Sequence, residues 1–175
     1  MQRAQHSNEP HLPKSDELFR RASECWDGGK LQSAFRLFLS GAKRGDPSAQ
    51  HNLGYFYDVG IGVKPNREAA LYWYKRAFRR GYRTAASNIG TIFRDEEKTK
   101  RALTWFQRAI RLGDADANLE VAKILLREKG KAVAAITYLR RTIQAKPGDA
   151  TEGSKQEARR LLSQFVRRHS TMKTS

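Results

Sequence analysis

Four short patterns in this chain carry residue types that chemistry uses. Gly60-Ile61-Gly62 has the opening of a phosphate-cradling glycine turn. Such a turn needs a third glycine, a preceding strand and a following helix start that aims backbone N–H groups at phosphate. None of these is legible, so the pattern reads as a tight turn with glycine at positive φ. Ser40-Gly41-Ala42-Lys43 places a hydroxyl three residues before an amine. A serine nucleophile of that type sits at a helix start, where backbone donors stabilise developing charge. Here it falls near a predicted helix end, without the partner motifs, and reads as coincidence. His51 is the one histidine away from the termini, and His6, His11 and His169 lie near them. No His, Cys or carboxylate cluster has metal-ligand spacing, so no metal or cofactor is expected. Cys25 stands alone beside Trp26 and is expected to pack as a small apolar residue.

Chemistry of the enzymatic kind is therefore not what this sequence is built around: no nucleophile–base pair, paired acids or metal set emerges. Its 175 residues suit one domain or one short repeat array. Hydrophobic residues at 39% can build a core, and 34 Lys and Arg against 18 Asp and Glu leave a net charge of +16. No stretch approaches the ~20 consecutive apolar residues of a membrane span. The segment MQRAQHSNEPHLPK lacks an apolar signal core, and one cysteine cannot form an internal disulfide. A cytoplasmic, reducing setting is expected, with non-classical secretion left open.

The elements that position these residues come from internal repetition. LFLSGAKRGDPSAQHNLGYFY, WYKRAFRRGYRTAASNIGTIF and WFQRAIRLGDADANLEVAKIL resemble one another. Anchored on Gly45, Gly81 and Gly113, they match at Ala34/Ala70/Ala102, Leu37/Trp73/Trp105, Phe38/Tyr74/Phe106 and Gly41/Ala77/Ala109 before the anchor. After it they match at Ala49/Ala85/Ala117, Leu53/Ile89/Val121, Gly54/Gly90/Ala122 and Tyr57/Phe93/Leu125. A further 32 residues leads to Ala145, the expected end of a weaker fourth unit. Apolar residues recur at three and four within each unit, so each reads as helix, turn, helix. Small residues let helices approach closely and aromatics fill between units. A lone hairpin cannot bury both faces, so the units must stack.

The expected fold is all-α: an α/α superhelical solenoid of stacked antiparallel helix pairs with a C-terminal capping helix. Helices are expected near 15–27, 31–44, 47–59, 67–80, 83–95, 99–112, 115–128 and 131–145. Units span about 14–45, 46–81, 82–113 and 114–145 within a solenoid of 14–169, and polar tails at 1–13 and 170–175 are expected to be disordered. Asp46-Pro47, Asn66 and Asp114 read as helix starts. Ser154 and Glu157 form a capping-box pattern opening a last helix near 154–169. Its stripe Ala158, Leu161, Leu162, Phe165 and Val166 would cover the last exposed core, or else meet a membrane surface or partner helix.

These residues resemble the Sel1-like repeat family. Ala49, Leu53, Gly54, Tyr57, Gly60, Gly62, Val63, Ala70, Trp73, Tyr74, Ala77 and Gly81 fill its pattern in order, with Phe78 in place of the second alanine of a pair. The next unit keeps Ala85, Ile89, Gly90, Phe93, Ala102, Trp105, Phe106, Ala109 and Gly113 but lacks the Gly-x-Gly-Val loop. The resemblance implies a tetratricopeptide-like solenoid and an adaptor without catalytic residues, of the kind used in signalling, quality control and bacterial–host contact. It also implies that first helices line a concave groove. Cys25 alone does not match the disulfide-paired bacterial branch.

Two surfaces follow. Groove positions His51, Asn52, Tyr55, Asn88, Thr91, Arg94, Glu120, Lys123 and Arg127 are expected to hold a peptide or protein segment, acidic in character. Asn52 and Asn88, at one repeat position, would serve its backbone, with Tyr55 an aromatic contact. On the second helices, Lys43, Arg44, Arg76, Arg79, Arg80, Arg108, Arg111 and Arg140 form a basic ladder. Cations in a last turn complement the helix dipole, worth roughly 0.3–1 kcal/mol each, which explains placement but not the excess. Residues 47–113 carry +8 and 114–175 carry +6, against +2 before them. The alternative function is binding of nucleic acid or another polyanion through this ladder.

Overall fold

Nine helices run through the residues described by the computed structural model, 15–171, with side chains placed to 167. They are α1 (Ser15–Asp27), α2 (Leu31–Lys43), α3 (Pro47–Val59), α4 (Arg67–Arg79), α5 (Arg83–Asp95), α6 (Thr99–Arg111), α7 (Asp116–Leu126), α8 (Ala132–Ile143) and α9 (Glu152–Thr171). Each helix packs on the next, giving stacked pairs, and no strand occurs among the described residues. The tail expected at 1–13 lies outside the described residues. At the other end, α9 continues to Thr171, into the stretch expected to be a disordered tail.

Local signals account for where several helices begin and end. Asp46 is extended, and its carboxylate accepts from the Ala49 N–H at 2.6 Å while Pro47 opens α3. Asn66 caps α4 by accepting from the Ala69 N–H at 3.0 Å. Gly60, at φ 85°, closes α3 in the left-handed region that a side chain resists. Gly62 explains the rest of the glycine pattern: a Cβ there would lie 2.6 Å from the Leu31 carbonyl oxygen, so the loop is glycine because it presses on the start of α2.

Two expected caps fall elsewhere. Asp114 does not cap α7. Ala115 holds that place without a side-chain bond, and the buried Asp114 carboxylate accepts instead from the Ser87 hydroxyl at 2.7 Å. For α9 the capping side chain is Thr151, whose Oγ1 accepts from the Ser154 N–H at 3.2 Å. Glu157 is thereby freed to pair with Arg160 at 2.6 Å.

The core is a chain of three contiguous clusters rather than one ball. The first joins Ala22, Phe38, Leu53, Phe56 and Trp73. The second centres on Tyr74, Ile89, Ile92, Phe106 and Val121, and Tyr57 packs against both. The third, Leu119, Ala122, Leu139 and Ala158, meets the second through Tyr138. Ala158, Leu161 and Leu162 thus cover the end of the stack, as a solenoid requires. Close approach is bought by small residues: a Cβ on Gly90 would lie 2.7 Å from the Phe106 ring, and one on Gly54 2.6 Å from that of Tyr74. Trp105 is half-buried at the core margin, packed edge-on against Phe78 at 5.2 Å. Cys25 is half-buried beside the first cluster, a free thiol. No described helix is long and apolar enough to cross a membrane.

The fourth unit sits in a register one residue longer than the 32-residue step predicts. Buried Ala102, Phe106 and Ala109 of α6 correspond to buried Ala135, Leu139 and Thr142 of α8, a step of 33. The ladder position of Arg108 therefore passes to Arg141, not to the expected Arg140.

Candidate functional site

The first helices α1, α3, α5 and α7 are tied to one another through polar and aromatic side chains, which makes one continuous wall. Trp26 of α1 meets Tyr55 of α3 at 6.0 Å between rings. His51 of α3 receives the Asn88 amide of α5 at 3.0 Å on its Nε2 and stacks on Tyr82 at 4.5 Å. Arg94 of α5 donates to Glu120 of α7, which also takes Lys123 at 2.9 Å. The three ties differ in chemistry and join different repeat positions, yet each links a first helix to the next one.

Electrostatics follow from burial. Desolvation depresses the His51 pKa to about 4 although the Asn52 amide favours its charged form, so the ring is neutral across the physiological range. Asp58, on the same helix, is raised by burial, with Arg67 acting against the shift and Asp95 adding to it. Burial works to lower Arg94, but its bonds and attraction to Asp95 and Glu120 override that and raise it.

The expected groove residues thus divide. Tyr55 is exposed, Asn52 and Thr91 are half-exposed, and Arg127 is exposed at the end of α7. Asn88 is engaged with His51 rather than standing free beside Asn52. Arg94, Glu120 and Lys123 are brought together, but as one another's partners. Charge on this wall is close to balanced and slightly acidic, with eight acids against five Lys and Arg in α1, α3, α5 and α7.

The second helices are the opposite. α2, α4, α6 and α8 hold twelve Lys and Arg and a single acid, Glu68. Lys43, Arg44, Arg79, Arg80, Arg111 and Arg140 are exposed, and the Arg80 guanidinium lies over Gly45. Arg76 and Arg108 are held differently. Arg76 lies 5.5 Å from the Trp73 ring centre and 5.7 Å from that of Tyr72, and Arg108 lies 4.4 Å from that of Trp105. Arg141 repeats the arrangement over Tyr138 at 5.3 Å. The signal was present in the sequence as an aromatic residue followed three positions later by arginine: Trp73/Arg76, Trp105/Arg108, Tyr138/Arg141.

A further set of contacts, between residues far apart in the chain, has no local signal in the sequence. Arg83 at the start of α5 donates to the Gly148 carbonyl at 2.9 Å and pairs with Asp149 at 3.4 Å. The Ala115 N–H donates to the Asp149 carbonyl at 2.9 Å. The loop before α9 is thereby fastened to two first helices. Among the described residues no group of three or more His, Cys, Asp or Glu could hold a metal ion.

Residues 47–82 and 87–114 match the Sel1 repeat. A sel1-like repeat-containing protein of Acanthamoeba polyphaga mimivirus is 29% identical over 55% of this chain and 18% of its own length. Chitin synthase regulator SKT5 of Saccharomyces cerevisiae is 48% identical over 25% of this chain and 6% of its own. The chain thus spans about a fifth or less of these relatives. A Sel1 repeat protein of Oxalobacter formigenes superposes with a TM-score of 0.71 over 86% of this chain and 63% of that one, at 23% identity, which speaks for the fold. The protective antigen c5321 of uropathogenic Escherichia coli, of SLR fold, gives 0.63 over 75% of this chain and 31% of that one, at 29% identity.

Proposed function

We propose, because residues 47–82 and 87–114 match the Sel1 repeat, that this chain is a non-enzymatic scaffold holding an extended segment of a partner protein along the wall of first helices. Sel1-like repeats generally mediate protein–protein interaction and their scaffolds are generally non-enzymatic. The observation that carries the reading is the set of ties between units, His51 with Asn88 and Arg94 with Glu120. They fix the wall's side chains before any ligand arrives, which lowers the entropic cost of binding. Asn52 and Thr91 offer donors and acceptors to a segment's backbone, and Tyr55 offers a rigid aromatic contact. An acidic side chain on the segment would find Arg127, since Glu120 already occupies Arg94 and Lys123.

The test is selection of a displayed random-peptide library on the protein, followed by titration of the winners against Asn52→Ala/Tyr55→Ala. Loss of binding by that variant, with an unchanged helical spectrum, is the expected result. Winners that bind the variant as well as the parent would overturn the assignment of this wall.

A further inference from the structure

The second helices present a surface that the first-helix wall does not explain. Their twelve cations face a single acid. The helix dipole accounts for Arg76, Arg79, Arg108, Arg111, Arg140 and Arg141, all in last turns. It does not account for Lys100 in the first turn of α6, the end where the dipole disfavours a cation, whereas Arg101 beside it lies over the Phe93 ring at 5.7 Å. Nor does it account for the stacking of Arg76, Arg108 and Arg141 on aromatic rings at three successive repeats.

That stacking has a chemical consequence. A guanidinium held over a ring by its charge keeps N–H groups that can still reach a carboxylate. Arg108 and Arg141 make no hydrogen bond or ion pair among the described residues, and Arg76 spends one N–H on the Tyr72 hydroxyl at 2.9 Å. The pairs come one per unit on α4, α6 and α8, and the Phe78–Trp105 contact shows the first two of these helices side by side. Beside Arg76, a shallow depression of about 330 Å³ lined by Leu71, Tyr72, Lys75, Arg79 and Glu68 offers room for a larger side chain.

We propose that the face of α4, α6 and α8 carrying Arg76, Arg108 and Arg141 is a second docking surface, and that its occupant is an acidic protein segment whose carboxylates take the three stacked guanidiniums in turn. Charge complementarity selects an anion. The rings select against a single-stranded nucleic acid, which binds by stacking successive bases on free aromatic faces. Trp73 is buried, the Trp73, Trp105 and Tyr138 rings already carry their own arginines, and Tyr72, the one largely exposed ring of α4, α6 and α8, also has Arg76 over it at 5.7 Å. The proposal concerns a face separate from the first-helix wall and stands or falls apart from it.

Fluorescence anisotropy with a labelled twelve-residue Glu/Asp peptide at low salt tests it. The protein is expected to bind, and Arg76→Gln/Arg108→Gln/Arg141→Gln to weaken binding about thirtyfold, taking roughly a factor of three for each exposed ion pair. The corresponding triple Lys variant keeps the charge but loses the planar fork, and it is expected to fall between the two. Asn52→Ala/Tyr55→Ala, on the other wall, is expected to bind this peptide like the parent. No binding by the parent, a triple Gln variant equal to the parent, or a triple Lys variant equal to the parent would each overturn the proposal. Tighter binding of a labelled twelve-nucleotide oligothymidine than of the peptide would overturn it in favour of nucleic acid.

Discussion

Gly90→Ala puts the close stacking of helices to a direct test. The new Cβ would stand 2.7 Å from Phe106 Cε1, 2.8 Å from Cδ1 and 3.0 Å from Cζ. Phe106 is fully buried, so its ring cannot swing into solvent and α5 must move away from α6 instead. Two effects compete. Alanine is favoured over glycine inside a helix by about 1 kcal/mol, whereas overpacking a filled core costs about 1–3 kcal/mol. The clash wins by about 1 kcal/mol, which for a domain of this size lowers Tm by about 3 °C. Gly153→Ala is the control, because a Cβ there meets nothing within 4 Å in α9, so its Tm is expected to hold or rise. Thermal melts followed at 222 nm read both. In a Phe106→Leu background the Gly90→Ala penalty should largely vanish, a coupling a double-mutant cycle measures. A Gly90→Ala protein stabilised as much as Gly153→Ala would refute the packing argument.

Three further outcomes follow from particular contacts. Asp46→Ala removes the cap on Ala49 and should cost about 1 kcal/mol, read as a lower midpoint in urea. His51 is depressed to about 4 by burial, so the unfolded chain binds its proton first as pH falls. Its stability contribution is whole above pH 6.5 and is lost between there and pH 4, on the order of 2–3 kcal/mol, and His51→Asn should flatten that part of the pH–stability curve. Arg83→Ala releases the loop at Gly148 and Asp149 from α5. Amide exchange of the Ala115 N–H, which donates to Asp149, should quicken while that of Ile89 stays slow.

Much of this architecture was legible because it rests on local rules repeated. The Ala34/Ala70/Ala102 and Phe38/Tyr74/Phe106 columns are buried in successive units, and Asp46 and Asn66 cap where side-chain chemistry predicts. What escaped was side-chain pairing across units. Arg94 and Glu120 stand 26 residues apart, so nothing local announces that they neutralise each other, and both read as free for a ligand. The fourth unit failed for another reason. Its extra residue keeps Leu139 in the buried column but carries Arg141 into the ladder, and a fixed 32-residue count lands on Arg140 instead. Ser154 reads as a cap because a Glu follows at the right interval, yet Thr151 stands one turn earlier and also reaches Asp116, fixing the helix start by a long-range contact.

The segregation of charge between the two sets of helices has a kinetic meaning as well. With cations gathered on α2, α4, α6 and α8 and a slight acidic surplus on α1, α3, α5 and α7, the molecule carries an electric moment with a component directed across the stack. A charged body diffusing toward it feels a torque before it touches, and arrives already turned to one side. Encounter rates should then drop steeply as added salt shortens the reach of that field, while the lifetime of the bound state changes far less.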